Sequence, residues 1–281
     1  MRSLLPSTQQ QKSHLRSNVR LALTAFLAIV SRDLLVIRRE VITFLLQTLI
    51  QPLFFLFVFG KVLSTIGTAA EGFSGLLLPG IVAFTLFLTA FQATSVDLSR
   101  DLGFTREIDD RLLAPLPIAL VAIEKVLLAA LRGLIAGAAI FPLAFWILGS
   151  GYQVRTDLLG ILISLMVLIA LVGASLGLLL STVTQLERLP LIFALVLTPL
   201  TFTGCTFYPW AALNAIKWFQ ILTLFNPLTY AAEGMRYTMV PLIHGQALPT
   251  LAPGWVLLAL GVSLILSLWG GIRLFHRRVV S

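Results

Sequence analysis

Six long apolar runs divide this chain, and most of its charged residues lie between them or at their edges. The runs cover Val41 to Val62, Leu76 to Leu98, Ile118 to Leu148, Leu158 to Val183, Leu191 to about Phe207, and Gly254 to Phe275. A helix needs roughly 20 apolar residues to cross a hydrocarbon core about 30 Å thick. No water is available there, so backbone groups must bond internally, which leaves helices or a closed barrel. Continuous runs rather than alternating short segments decide for helices. Composition agrees, with 58% hydrophobic and 11% charged residues against roughly 45–50% and about 25% in soluble domains. The expected fold is an all-α integral membrane protein with six transmembrane helices. A poorly ordered N-terminus over 1–13 precedes a single transmembrane domain over 14–281.

The charges then set an orientation. The net charge of +8 would suggest nucleic acid in a soluble protein. Here the cations flank apolar runs, which points to a membrane face and to no nucleic-acid partner. Arg2, Lys12, Arg16, Arg20, Arg32, Arg38 and Arg39 precede the first run, and Arg100, Arg106 and Arg111 follow the second. Arg188 follows the fourth, and Arg273, Arg277 and Arg278 close the sixth, whereas the opposite side holds Lys61, Arg155, Lys217 and Arg236. Both termini are expected in the cytoplasm, with the protein multi-pass in the cell (inner or plasma) membrane. The first twenty residues lack an apolar signal-peptide core. A lone Cys205 allows no intrachain disulfide.

Two segments fall outside the simple count. From His14 to Asp33, Leu15, Val19, Leu23, Phe26 and Val30 share one helical stripe while Arg16, Arg20 and Arg32 lie off it. That pattern suits an amphipathic helix in the cytoplasmic interface, or one packed on the protein's own cytosolic side. Between the fifth and sixth runs, Tyr208-Pro209-Trp210 leads to a helical stretch from Ala211 to Phe225. Asn226-Pro227 then opens a second stretch ending near Val240. Pro227 suits a first helical turn with Asn226 as its cap. A re-entrant pair of short helices is expected, forming an outer gate, with a surface loop of two interfacial helices as the alternative.

No phosphate loop occurs, since Gly60-Lys61 is followed by Val62-Leu63. His14, His244 and His276 are far apart in the topology, and no Gly-x-Ser-x-Gly elbow is present. No catalytic, cofactor or metal residues are expected. A membrane-embedded lipid-modifying enzyme would need more than the single acidic pair Asp109-Asp110. An ion-coupled secondary transporter would show repeated halves and midplane acids. The stretch from Ser99 to Pro117 mixes charges with Phe104, Ile108, Leu112 and Leu113 at helical intervals before Pro115 and Pro117. It reads as a short amphipathic helix, either a solvated loop element or a docking site for a soluble partner.

Further features carry a resemblance. Leu78-Pro79-Gly80, Phe91, Arg100-Asp101, the run Arg111-Leu112-Leu113-Ala114-Pro115-Leu116, and Lys125 stand in order between Leu76 and Ala130. Phe225-Asn226-Pro227-Leu228-Thr229-Tyr230 continues as Ala231-Ala232-Glu233-Gly234-Met235-Arg236, while Arg32-Asp33 and Gln51-Pro52-Leu53-Phe54 stand near the N-terminus. Together, over about Arg32 to Arg278, these resemble the permease subunits of type-2 ABC exporters, with some leaning to the drug, lipid and glycoconjugate branch. The loop Thr105-Arg106-Glu107-Ile108-Asp109-Asp110-Arg111 departs from the usual Glu-rich wording. The resemblance implies two facing permeases, as a homodimer or heterodimer. It also implies two copies of a separate ATP-binding subunit that holds ATP and Mg, docked on Arg100 to Arg111.

The resemblance also implies outward movement of an amphiphile (a drug, lipid or lipid-linked glycan) and an outer gate. The gate candidates are Tyr208, Pro209, Asn226, Pro227, Tyr230, Glu233 and Arg236, with Glu233 and Arg236 spaced to pair on one helix face. Gln47, Gln51, Glu124, Lys125 and Arg132 are the polar residues inside the spans, where such groups mark either function or pairing. Gly133 and Gly137, and Gly173, Gly177 and Ser181, form small-residue faces suited to close helix packing.

Overall fold

The structure, a computed structural model, describes residues 8–67, 73–103, 117–152, 154–241 and 248–280. Every regular element among them is helical. Six helices are long and apolar enough to cross a membrane, and all six correspond to the runs read from the sequence.

Helix α1 spans Thr8–Phe55 and continues as a π-helix over Leu56–Val62 and a final turn over Leu63–Thr65. The expected break between an interfacial helix at 14–33 and a span starting at Val41 is absent. No glycine or proline lies between Thr8 and Gln51 to interrupt it. At 1.5 Å per residue, 48 residues extend about 72 Å. That is over twice the hydrocarbon thickness, so much of α1 must project beyond the bilayer core. The π-helix begins four residues after Pro52, where the missing N–H disturbs the regular hydrogen-bond ladder.

Helix α2 (Phe73–Gly103) is the axis of the bundle. Of its most apolar stretch 78% is buried, against 17% for α1, so α2 is packed within the chain where α1 largely presents an exposed apolar face. Helix α3 (Ile118–Leu148) and helix α4 (Leu159–Val183) pack on it from two sides. On α4, a Cβ at Gly173 would fall 2.3 Å from the Phe87 carbonyl oxygen, and one at Gly177 2.4 Å from that of Phe91. The glycine face therefore lets two backbones touch, as small residues do in bilayers, where hydrophobic pressure between helices is weak.

Helix α5 (Leu189–Thr203), preceded by a 3-10 turn at Leu186–Arg188, ends four residues before the expected Phe207. The chain leaves it at Gly204, and Cys205 adopts φ 51°, a left-handed conformation that a non-glycine residue rarely takes. The stretch expected as one helix from Ala211 to Phe225 is instead two elements. A 3-10 helix covers Trp210–Ala215, and α6 covers Lys217–Thr223. They part at Ile216, whose backbone (φ −126°, ψ 70°) is not helical.

Helix α7 covers Pro227–Met239 and α8 covers Pro253–Val280. Ser175 on α4 and Ser267 on α8 share a buried hydrogen bond of 2.6 Å. Arg278 near the end of α8 donates to the carbonyls of Ser181 and Thr184 at 2.7 and 3.0 Å, satisfying acceptors left open where α4 ends.

Candidate functional site

Two polar constellations interrupt the apolar bundle. The first lies where α5, α6 and α7 meet the start of α2. Glu233 and Arg236 are both fully buried and pair at 2.9 Å. Such a pair survives desolvation only if its remaining donors and acceptors are also met. They are: Glu233 Oε1 also accepts from the Trp210 N–H at 2.9 Å, and Oε2 accepts from the Leu251 N–H at 3.3 Å. Arg236 donates to the carbonyls of Cys205 at 2.6 Å, Thr206 at 3.0 Å and Leu76 at 3.3 Å. One ion pair thus ties five separate chain segments together.

Gly80 completes the knot. A Cβ there would stand 1.9 Å from the Thr206 carbonyl oxygen and 3.0 Å from Arg236 Nη2. This explains the glycine of Leu78-Pro79-Gly80 by close backbone approach. Around the knot, Asn226 caps α7 through Oδ1, which accepts from the Leu228 N–H at 2.9 Å. Its amide donates to the Leu200 carbonyl at 2.7 Å and to Thr203 Oγ1 at 2.9 Å, closing the end of α5 as well. Pro227 fills the first turn of α7. Pro209 precedes the 3-10 helix. The hydroxyl of Tyr208 donates to the Phe202 carbonyl and that of Tyr230 to the Leu224 carbonyl, the latter at 2.9 Å. Burial pushes the Cys205 thiol up to about 11 and the Tyr208 phenol up to about 12.

The second constellation is a polar track along the facing sides of α1, α2 and α3. It starts in a cavity of about 600 Å³ lined by Val36, Ile37, Glu40, Thr43, Phe44 and Gln47 of α1, with Asp97 and Arg100 of α2 and Arg132 of α3. A neighbouring cavity of about 290 Å³ reaches Arg32, Asp33 and Lys125. Gln47 also lines a narrower cavity of about 90 Å³ further along α1, which adds Gln51, Thr85, Thr89 and Gln92. The ionisable groups are thus gathered at the mouth, and amides and hydroxyls line the depth. Beyond Pro52, rings of Phe55, Phe59 and Phe207 pack together, Phe55 and Phe207 edge to face with centroids 5.1 Å apart.

Two ion pairs line the back of the mouth. Arg132 meets Asp97 at 2.5 Å, and Lys125 meets Asp101 at 2.6 Å with both side chains about nine-tenths buried. Asp101, expected in the docking segment, is therefore turned into the bundle, while Arg100 is exposed and faces the cavity. Glu124 is buried one residue before Lys125. Phe104, Thr105, Arg106, Glu107, Ile108, Asp109, Asp110 and Arg111 lie outside the described residues. Sequence reading did not single out Glu40, Asp97 or Gln92. The usable signal for Asp97 was an acid at the end of an apolar run, which in a membrane requires a partner. Among the described residues, no group of three or more His, Cys, Asp or Glu could hold a metal ion.

Comparison with known proteins fixes the context of these features. Residues 24–240 match the family described as ABC-2 type transporter, and this covers most of the chain. The chain belongs to the ABC-2 type transporter family. An inner membrane transport permease, YadH, from Escherichia coli (strain K12) is 25% identical over 197 residues, covering 68% of this chain and 75% of that protein. A protein of the same name from Shigella flexneri matches to the same extent. The match to the ABC-2 family takes in both constellations, from the cavity mouth on α1 to the Glu233–Arg236 knot. This ABC-2 permease subunit is thus a multi-pass helical membrane protein with a polar track beside its most buried helix.

Proposed function

We propose that this ABC-2 permease subunit moves an amphiphilic substrate out of the cytoplasm or inner leaflet, and that two copies of a separate ATP-binding subunit drive it. The observation that supports this reading is the polar track. Within a bilayer, amides and hydroxyls facing a cavity hold groups that hydrogen-bond and leave acyl or aromatic parts to the surrounding lipid. Two permease subunits facing each other would enclose such a track from both sides. ATP and Mg would be held entirely on the partner subunits. Their closure would move the connection between α2 and α3, changing which of two conformations is favoured and so the affinity for substrate.

On this reading the termini and the charged mouth face the cytoplasm, in keeping with the excess of Lys and Arg there. The amphiphile enters beside Glu40 and Arg100 and leaves past the aromatic cluster of Phe55, Phe59 and Phe207. The test is co-expression with a phosphate-loop subunit, purification of the complex and reconstitution into lipid nanodiscs. The two chains should co-purify, and nucleotide hydrolysis should rise with an amphiphile. Phe104→Asp or Ile108→Asp should abolish both effects. Transport by this chain without any ATP-binding subunit would overturn the proposal.

A further inference from the structure

The charges at the mouth of the track define a more specific ligand. The cavity contains two acids and two bases, Glu40, Asp97, Arg100 and Arg132. Asp97 and Arg132 neutralise each other at 2.5 Å, and behind them Asp101 and Lys125 do so at 2.6 Å. Among the described residues, neither Glu40 nor Arg100 makes an ion pair or side-chain hydrogen bond, and both are exposed. One carboxylate and one guanidinium therefore face the same cavity with their bonding capacity unused. Glu40 immediately precedes the apolar run that starts at Val41, and Arg100 stands just past Leu98, so both lie where headgroups lie.

The rest of the lining suits the other half of such a ligand. Val36, Ile37 and Phe44 flank Glu40 on the same cavity. A volume of about 600 Å³ lies within the range of sites for drug-sized ligands. We propose that this cavity is a headgroup site selective for zwitterionic amphiphiles. Arg100 holds the phosphate in the charge-assisted, forked manner of guanidinium groups, and Glu40 holds the ammonium. An anionic amphiphile would meet Glu40 as a like charge, and a cationic one would meet Arg100. The site discriminates against each by leaving one charge unmatched. This deepens the export reading and rests on it for the role of the site.

The experiment uses the full chain purified in dodecyl maltoside, whose headgroup is neutral. Binding of three probes of matched chain length is measured by native mass spectrometry. They are a lysophosphatidylethanolamine, a lysophosphatidylglycerol and an alkyltrimethylammonium. The zwitterion should bind about tenfold more tightly than either singly charged probe, roughly the 1.4 kcal/mol of one added charge-assisted contact. Glu40→Gln should weaken the zwitterion about tenfold without weakening the anion. Arg100→Gln should weaken zwitterion and anion alike without weakening the cation. Glu40→Asp should retain the zwitterion, which separates charge from folding, and unchanged melting temperatures check the variants.

Equal binding of the three probes, or wild-type zwitterion affinity in either neutral variant, would overturn the proposal. The measurement needs neither nucleotide nor an ATP-binding subunit. Loss of selectivity would therefore leave the export reading standing, and failure to co-purify an ATP-binding subunit would leave the site standing.

Discussion

Replacing Arg236 with methionine removes a guanidinium from a site with no access to water, and the structure sets the size of the consequence. The side chain is fully buried against Glu233 at 2.9 Å and donates to three carbonyls belonging to Leu76, Cys205 and Thr206. Breaking a buried ion pair by deleting one partner costs about 3–5 kcal/mol, chiefly because the surviving charge is left uncompensated. Two features push in opposite directions. Glu233 keeps the N–H donors of Trp210 and Leu251, which softens the loss, while the non-helical carbonyls of Cys205 and Thr206 lose their donor and add to it. We therefore expect Arg236→Met to lower stability by about 4 kcal/mol.

Glu233→Gln should cost somewhat less, about 3 kcal/mol, because the buried Arg236 cation loses its counter-charge but keeps its carbonyl acceptors. The double variant should cost no more than Arg236→Met alone, since a neutral amide tolerates the emptied site better than a carboxylate does. Reversible denaturation in mixed micelles, run as a double-mutant cycle, measures the coupling. A cost for Arg236→Met below about 1 kcal/mol, or strictly additive single effects, would refute the reasoning. Either result would mean that the pair opens readily and belongs to a moving gate rather than to a fixed knot.

Gly80→Ala should be at least as damaging as loss of the ion pair, because the new methyl would meet the Thr206 backbone at 1.9 Å; expression and monodispersity on size exclusion report it. Asn226→Ala should lower the melting temperature through loss of about 1–2 kcal/mol, as one side chain closes the end of α5 and the start of α7. Cys205 should resist maleimide at neutral pH. Its thiol is held up to about 11, so the reactive thiolate is scarce until pH rises toward that value; rapid labelling of folded protein at pH 7 would contradict the burial. Asp97→Asn should change stability by less than about 1 kcal/mol, because both partners of its pair with Arg132 are partly exposed, and chemical denaturation checks this.

What the sequence disclosed follows from how far apart the interacting residues lie. The six spans were legible because apolar runs are continuous, and the cap at Asn226 and the pairing of Glu233 with Arg236 because both act within one turn. The packing of Gly173 and Gly177 on α2 follows from a four-residue spacing, though the sequence could not name the helix they would meet. The pairs Asp97–Arg132 and Asp101–Lys125 join different helices, and no periodicity within one helix announces such a partner. Glu40 resembled one more charge in a basic flank until the fold set it opposite Arg100. The early end of α5 at Thr203 depends on Asn226, 23 residues further along, accepting the task of closing it.

The seven π-helical residues from Leu56 to Val62 have a mechanical consequence. A π turn holds roughly one residue more than an α turn, so this segment stores slack within a continuous rod. Rewinding that extra residue into α-helix would twist the rod's two halves relative to one another by about 100° and push them apart by about 1.5 Å. Phe55 lies on one side of that slack and Phe59 within it, and Phe207 touches both. A local rewinding of α1 would thus scatter or regroup the aromatic cluster, and the packing of Phe55 on Phe84 would pass the change to the deeply buried α2.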